Sequence, residues 1–211
     1  MSDRPASQAS PVSQTRAVDQ GRRTWVAITA GAGALGAAAV AVPFVASITP
    51  SERAKAAGAA VEADISALKP GEKMTVEWRG KPVWIVRRTP EQLAGLKKLD
   101  PELADPNSKR KPDELTPAYA RNEARSIKPE YLVAVGICSH LGCSPSEKFV
   151  PGPQPSLPDD WQGGFLCPCH GSTFDMAGRV FKNKPAPDNL EVPPHFYLSD
   201  TRLLIGEDKK A

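Results

Sequence analysis

The chain contains two short stretches rich in cysteine and histidine, Cys138-Ser139-His140-Leu141-Gly142-Cys143 and, after a gap, Cys167-Pro168-Cys169-His170-Gly171-Ser172. We name these two stretches box 1 and box 2. Together they contain all four cysteines and two of the three histidines of a 211-residue protein. Each box supplies one cysteine and one histidine close in sequence, and each has a second cysteine left over. This concentration of soft ligands indicates a metal or redox centre.

The boxes offer a ligand set of two cysteines and two histidines, namely Cys138, His140, Cys167 and His170. Such a set suits either tetrahedral zinc or one iron–sulfur cluster. Cys143 and Cys169 would have no role in a four-ligand zinc site, whereas a disulfide between them would tie the two boxes together. That bond would close a loop of roughly 26 residues, stabilise the fold by about 3 kcal/mol on the chain-entropy estimate, and require an oxidising compartment.

At these residues the chain resembles the Rieske iron–sulfur proteins, specifically the iron–sulfur subunits of quinol:cytochrome c oxidoreductase, respiratory complex III. The resemblance implies one [2Fe-2S] cluster of the Rieske type. By motif, the inner iron would be held by Cys138 and Cys167, the outer iron by His140 and His170, and the disulfide would join Cys143 to Cys169.

The resemblance also implies roles for the residues around the cluster. His170, with His140 beside it at the exposed tip, would be the catalytic group that takes the proton of a quinol. Leu141 and Gly142 would contact the quinone pocket of a cytochrome b subunit. Ser172 would donate a hydrogen bond to a cluster sulfur and raise the reduction potential.

Two positions depart from the family pattern. Phe174 stands where members of high potential often carry a tyrosine whose hydroxyl bonds a ligand sulfur, so one donor is missing. The segment Pro185-Ala186-Pro187 resembles the proline loop that shields the cluster in the family. Lys184 precedes that loop where the family usually has glycine, and a cation there could alter docking.

The composition favours a loop-rich β protein, because the chain contains 22 prolines and 16 glycines and only 6% aromatic residues. The formal net charge of +3 is too small to indicate a nucleic-acid partner. We therefore expect an all-β fold with an N-terminal transmembrane helix. The helix would precede an antiparallel β base domain that carries a small cluster-binding subdomain at about residues 137–183.

The N-terminal region predicts export and anchoring in a membrane. Residues 1–20 are polar and are interpreted as a disordered cytoplasmic tail. Residues 21–48 begin with the twin arginine Arg22-Arg23, which resembles an export signal for folded proteins, and continue as an uncharged run. About 24 residues of helix span roughly 36 Å, enough to cross a bilayer once, and the arginines place the N-terminus inside. A cleaved signal peptide is the alternative.

The rest of the chain is expected to form a linker and one domain. Residues 49–63 are rich in alanine and resemble the flexible hinge of the family, with an inert spacer as the alternative. Residues 64–211 would be the periplasmic Rieske domain. Within it we predict a hairpin at 75–88, a capped helix after Thr89, surface loops at 100–128, strands entering both boxes, and strands near 190–206. A proline-rich loop would separate the boxes, and His195 would be a surface or strand-end residue.

Together with the resemblance, these features predict the electron-transfer subunit of a ubiquinol:cytochrome c oxidoreductase, an enzyme that translocates protons. Its partners would be a cytochrome b subunit, a c-type haem subunit and ubiquinol, in a dimeric complex of a bacterial inner membrane. The small Rieske subunit of arsenite oxidase is the nearest alternative. A structural zinc-binding module is the alternative from another class.

Overall fold

The chain forms one long helix and three small antiparallel sheets in the computed structural model, which describes residues 19–49, 51, 58–111 and 114–208. It divides into two units, residues 1–51 and 52–211. The expected tail up to residue 18 and part of the expected hinge, residues 50 and 52–57, lie outside the described residues.

The first unit contains helix α1, Gln20–Ile48. The carboxylate of Asp19 caps it by accepting hydrogen bonds from the backbone amides of Gly21 and Arg22. After Arg23 the helix has no charged residue, and its large apolar side chains are exposed on every face. A helix that is apolar all round is suited to lipid or to other membrane helices. At 29 residues it is long enough to cross a membrane, and it coincides with the predicted anchor.

Nine strands in three sheets are seen among the described residues of the second unit. One sheet has the strand order β1–β9–β8, the next β2–β3–β4, and the third β5–β6–β7. The strand bounds are β1 Val61–Asp64, β2 Lys73–Trp78, β3 Lys81–Arg87, β4 Tyr131–Val135, β5 Ser146–Lys148, β6 Gly164–Leu166, β7 Thr173–Asp175, β8 His195–Tyr197 and β9 Arg202–Ile205.

The central β2–β3–β4 sheet is buried on both faces because β3 and β4 send alternate side chains to two different cores. On one face Val83 and Ile85 pack with residues of β9 such as Leu203. On the other face Trp84 and Val86 pack with Phe165 and the cysteines of the boxes. Through this second core, the region that contains the two boxes packs directly against the β2–β3–β4 sheet.

Gly136, just after β4, is needed for this packing. A Cβ atom placed there would lie 2.2 Å from the ring of Trp84, which no side chain could accept. The Trp84 ring in turn stacks on Phe165 of β6 with ring centroids 5.0 Å apart. The backbone that leads from β4 into box 1 thus passes so close to the Trp84 ring that position 136 must be glycine.

Short helices complete the second unit. Helix α2, Pro90–Gly95, begins with the predicted capping box, in which Thr89 and Gln92 satisfy each other's backbone amides. Two 3₁₀ helices follow at Leu96–Glu102 and Ala118–Ala120. The predicted β2–β3 hairpin is also confirmed, with Arg79 and Gly80 at positive φ in its two-residue turn.

Four expectations differ from the structure. Strand β1 begins at Val61, so its first three residues lie in the expected hinge, because Ala63 and its neighbours pair with β9. Strand β5 lies between the boxes, where only a loop was expected. Residues 190–192 form no strand and bond singly to neighbouring segments. The segment 100–128 is not only surface, since Leu103 and Arg125 are fully buried.

Candidate metal centre

Box 1 folds into a tight loop at the end of β4. The Cys138 amide donates to the Cys143 carbonyl at 2.8 Å, and the Gly142 amide donates to the Cys138 carbonyl at 3.1 Å. Gly142 has φ of 82°, a conformation that side-chain-bearing residues rarely adopt. The fifth position of the box is therefore glycine for a backbone reason.

Box 2 forms the same loop between β6 and β7. Here the Cys167 amide donates to the Ser172 carbonyl at 2.7 Å, and the Gly171 amide donates to the Cys167 carbonyl at 3.0 Å. Gly171 has φ of 73°, matching the glycine of box 1. The two boxes are thus the same backbone device used twice, each presenting a cysteine at its base.

A disulfide between Cys143 and Cys169 joins the two loops. The pairing agrees with the one that the family resemblance implied, and it leaves Cys138 and Cys167 as the free thiols. With a sequence separation of 26 residues, the bond contributes about 3 kcal/mol by restricting the unfolded chain. The role left open for the two extra cysteines is therefore structural.

The two free thiols are buried beside each other under the loops, each with 2% of its surface exposed. Burial raises the pKa of the Cys138 thiol, and the neighbouring Cys167 thiol raises it further. Two adjacent buried thiols are unfavourable as thiolates on their own, and a bound cation would remove that penalty. Their placement fits soft-metal ligation.

The two imidazoles of the boxes lie next to each other at the tip. The ring centroids of His140 and His170 are 4.7 Å apart and the rings meet edge to face. Nδ1 of His140 is buried and has no hydrogen-bond partner among the described residues, a state that ordinarily costs about 1 to 3 kcal/mol. A metal ligand at that nitrogen would satisfy it. The donor set of two thiols and two imidazoles therefore fits a [2Fe-2S] cluster of mixed ligation.

Leu141 and Gly142 lie at the exposed end of box 1, and Leu141 has 70% of its surface exposed. A large apolar side chain presented to solvent beside the imidazoles suits an apolar partner surface. Their predicted contact with a quinone pocket stays a prediction.

The proline loop, Pro185-Ala186-Pro187, is bonded to both boxes through serine hydroxyls. The buried Ser172 hydroxyl accepts a hydrogen bond from the Ala186 amide at 2.9 Å. Its own proton remains available to a sulfur, as the predicted role requires. The Ser139 hydroxyl bonds the backbone of Asp188, the next residue after the loop. Sequence reasoning missed Ser139, since a serine in a turn gives no distinctive signal.

Three buried arginines hold the turn after β7, and none of them was predicted. Arg88 donates to the Met176 carbonyl, and Arg125 donates to the carbonyls of Ala177 and Gly178. Arg179 pairs with the fully buried Asp175 at 2.8 Å. The three side chains are each at most 2% exposed. Arg88 and Arg125 thus satisfy carbonyls of the turn directly, and Arg179 ties the turn to the Leu96 carbonyl and to the Asp175 carboxylate.

Two other residues discussed from the sequence also have defined positions. Phe174 is fully buried, in the same core as Cys138 and Cys167. His195 begins strand β8, as a strand-end residue would, but it is buried and lies outside the metal centre. Burial lowers the pKa of His195, and its Nδ1 bonds the Pro193 carbonyl at 2.8 Å.

Several known proteins are similar to this chain. A family model described as "Rieske [2Fe-2S] domain" matches residues 109–194. The ubiquinol-cytochrome c reductase iron-sulfur subunit of Allochromatium vinosum is 60% identical over 190 residues, covering 89% of each chain. That of Rhodospirillum rubrum is 40% identical, covering 84% of this chain and 87% of the relative. A solved structure titled "Hyperthermophilic respiratory Complex III" aligns with a TM-score of 0.44 at 26% identity, covering 83% of this chain and 98% of that one.

Proposed function

The chain belongs to the ubiquinol-cytochrome c reductase iron-sulfur subunits, and from this membership we propose how its own residues carry electrons from quinol to a c-type haem. The observation that carries the proposal is the pair of buried thiols under two adjacent imidazoles, held by one disulfide between matching loops. We assign Cys138 and Cys167 as ligands of one iron and His140 and His170 as ligands of the other.

A bound [2Fe-2S] cluster of this ligation supplies a one-electron acceptor of raised potential. The chain's residues supply the rest. His140 and His170 are held at the tip rather than in the core, so a quinol hydroxyl could reach the imidazole of His170, which is exposed. We assign the quinol proton to Nε2 of His170, with Nδ1 toward the metal as for the buried Nδ1 of His140.

The surroundings of the tip support this role. Leu141 offers an apolar contact for the quinone pocket of a cytochrome b subunit, together with Gly142 at the turn. The proline loop covers the side of the site and excludes water, with Pro185 and Pro187 exposed and Ala186 buried against it. Ser172 would hydrogen-bond a cluster sulfur through its free proton.

The helix and the hinge define the setting of this head. We infer that α1 anchors the chain as a single span in a bacterial inner membrane, with the N-terminus in the cytoplasm and the cluster domain in the periplasm. The disulfide supports an oxidising compartment for the domain. The partners proposed are a cytochrome b subunit, a c-type haem subunit and ubiquinol, in a dimeric complex. The 60% identical relative favours this assembly over arsenite oxidase.

The test is complementation of a bacterial strain in which the gene for this chain has been deleted, with activity measured in its membranes. Quinol-dependent reduction of cytochrome c should be absent, return with the wild-type chain, and stay absent with His170→Ala at equal protein level. Full activity in membranes of the deletion strain, or in membranes that carry His170→Ala, would contradict the proposal.

A further inference from the structure

Three cationic side chains surround one depression beside the proline loop. Arg110, Lys182 and Lys184 line a cavity of about 350 Å³. Its remaining walls are Ala104, Phe181, Asn183, Ala186 and Pro187, so no wall residue is acidic. We name Arg110, Lys182 and Lys184 the basic collar.

The basic collar is pre-oriented by contacts with neighbouring backbone. A guanidinium nitrogen of Arg110 donates to the Pro187 carbonyl at 2.6 Å, and Nζ of Lys182 donates to the Pro101 carbonyl at 2.6 Å. All three collar residues are exposed, and none forms an ion pair within the part of the chain that the structure describes. No direct ion pair therefore neutralises the three charges within the described residues.

Nearby carboxylates cancel only part of this charge. Asp188 is already paired with Lys111 at 2.6 Å. Glu102 lines the adjoining depression together with Lys182 and Lys184. The Asp105 carboxylate is also close, since it accepts a hydrogen bond from the Arg110 backbone amide. Three cations against these two carboxylates leave a net charge of +1 at the edge of the loop.

The basic collar is linked to the metal centre by short bonded paths. Ala186 bonds the Ser172 hydroxyl of box 2, and Pro187 bonds Arg110. A partner that approaches the tip from this side must therefore meet the collar. Leu141, in contrast, is apolar and 70% exposed. The head therefore offers a cationic contact at the collar and an apolar contact at Leu141.

Resting on the proposed function, we propose that the basic collar is a docking site for an acidic surface on the c-type haem subunit. An apolar quinone pocket matches Leu141, whereas carboxylates around a haem edge match the collar. A side-chain carboxylate of the partner would enter the depression between the three cations. Charge complementarity of this kind steers encounter and fixes orientation, and it weakens as salt screens it.

The experiment measures the rate at which quinol reduces the c-type haem in the intact detergent-purified complex, as a function of ionic strength. The test variant is Arg110→Gln/Lys182→Gln/Lys184→Gln. The control variant is Lys69→Gln/Lys97→Gln/Lys98→Gln, which removes three exposed lysines that line neither depression. The cluster signal and the reduction potential are recorded for each to show that the centre is intact.

We expect the wild-type and control rates to fall as the screening length shortens from about 30 Å at 0.01 M to about 8 Å at 0.15 M. The collar variant should be slower by roughly tenfold at low salt, the lower end of electrostatic steering effects, and insensitive to salt. Equal salt dependence in all three proteins would overturn the docking site. So would a dependence that appears only after anionic lipid is added, since the collar would then bind the membrane surface. Failure of the wild-type complex to reduce the haem at any salt would instead contradict the proposed function.

Discussion

The Ser139 hydroxyl donates a hydrogen bond to the Asp188 carbonyl at 2.7 Å and accepts one from the Asp188 amide at 3.2 Å. This pair of hydrogen bonds joins box 1 to the residue that follows the proline loop. Ser172 joins box 2 to the middle of the same loop through Ala186. The loop cannot move away from one box without breaking bonds to it, so two serines hold the cover of the site in place.

Replacing Ser139 by alanine should loosen this cover. Two hydrogen bonds are lost, one of which leaves the Asp188 amide without its partner, and each bond contributes about 0.5 to 1.5 kcal/mol. We expect a lower melting temperature and faster bleaching of the cluster by oxidant. Ser139→Thr keeps the hydroxyl and is the matched control. A melt and a bleaching rate equal to wild type in Ser139→Ala would show that the loop is held by packing alone.

Replacing Cys143 or Cys169 by serine should leave all four ligands but release the two loops from each other. Loss of the bond removes about 3 kcal/mol from a subdomain with little core of its own. We expect the cluster to assemble poorly and to be lost on mild heating. Visible absorption measures this loss. The double serine variant should resemble each single variant, because one bond is lost in all three. Clusters that survive heating as in wild type would show that the disulfide is not needed to hold the two loops together.

Phe174→Tyr tests the missing donor near the ligand sulfurs. A tyrosine hydroxyl that reaches a sulfur would stabilise the reduced state, and a bond to a charged group contributes about 1.5 to 3 kcal/mol at most. Since about 59 mV corresponds to tenfold for one electron, even half of that bond raises the potential by several tens of millivolts. Redox titration measures the shift. Because Phe174 is fully buried, an unchanged potential together with a lowered melting temperature would mean that the hydroxyl was buried without a partner.

The stability of the domain should fall as pH is lowered below about 6.5, the usual pKa of histidine. Burial lowers the pKa of His195 in the fold, so between that value and 6.5 the unfolded chain binds the extra proton and the folded chain does not. The loss is at most about 1.4 kcal/mol per pH unit for one group. His195→Gln should flatten the dependence, measured by denaturant unfolding between pH 7 and pH 5. An unchanged slope in His195→Gln would assign the effect to other groups.

The boxes could be predicted from the sequence because their chemistry is local. A cysteine, a histidine and a glycine at fixed spacing define the loop, the ligand and the positive φ at Gly142 within six residues. Strands β3 and β4, which precede box 1, could also be predicted, because each contains a continuous apolar run that is buried on both faces.

What the sequence could not predict depends on partners far along the chain. Strand β5 has three mainly exposed residues and exists only because β6 pairs with it. Arg125 is polar and seemed to lie on the surface, but the fold brings it to carbonyls 52 and 65 residues away. Ser139 and Asp188 are 49 residues apart, so the bond that covers the site has no local signature.

Electron paramagnetic resonance of dithionite-reduced membranes that contain the chain reports directly on the proposed ligation of the metal centre. We expect the anisotropic signal of a reduced [2Fe-2S] centre with mixed histidine and cysteine ligation, and its loss in Cys138→Ser at equal protein level. A chain that is silent in this measurement and carries one equivalent of zinc when purified would show instead that the site is a structural zinc site.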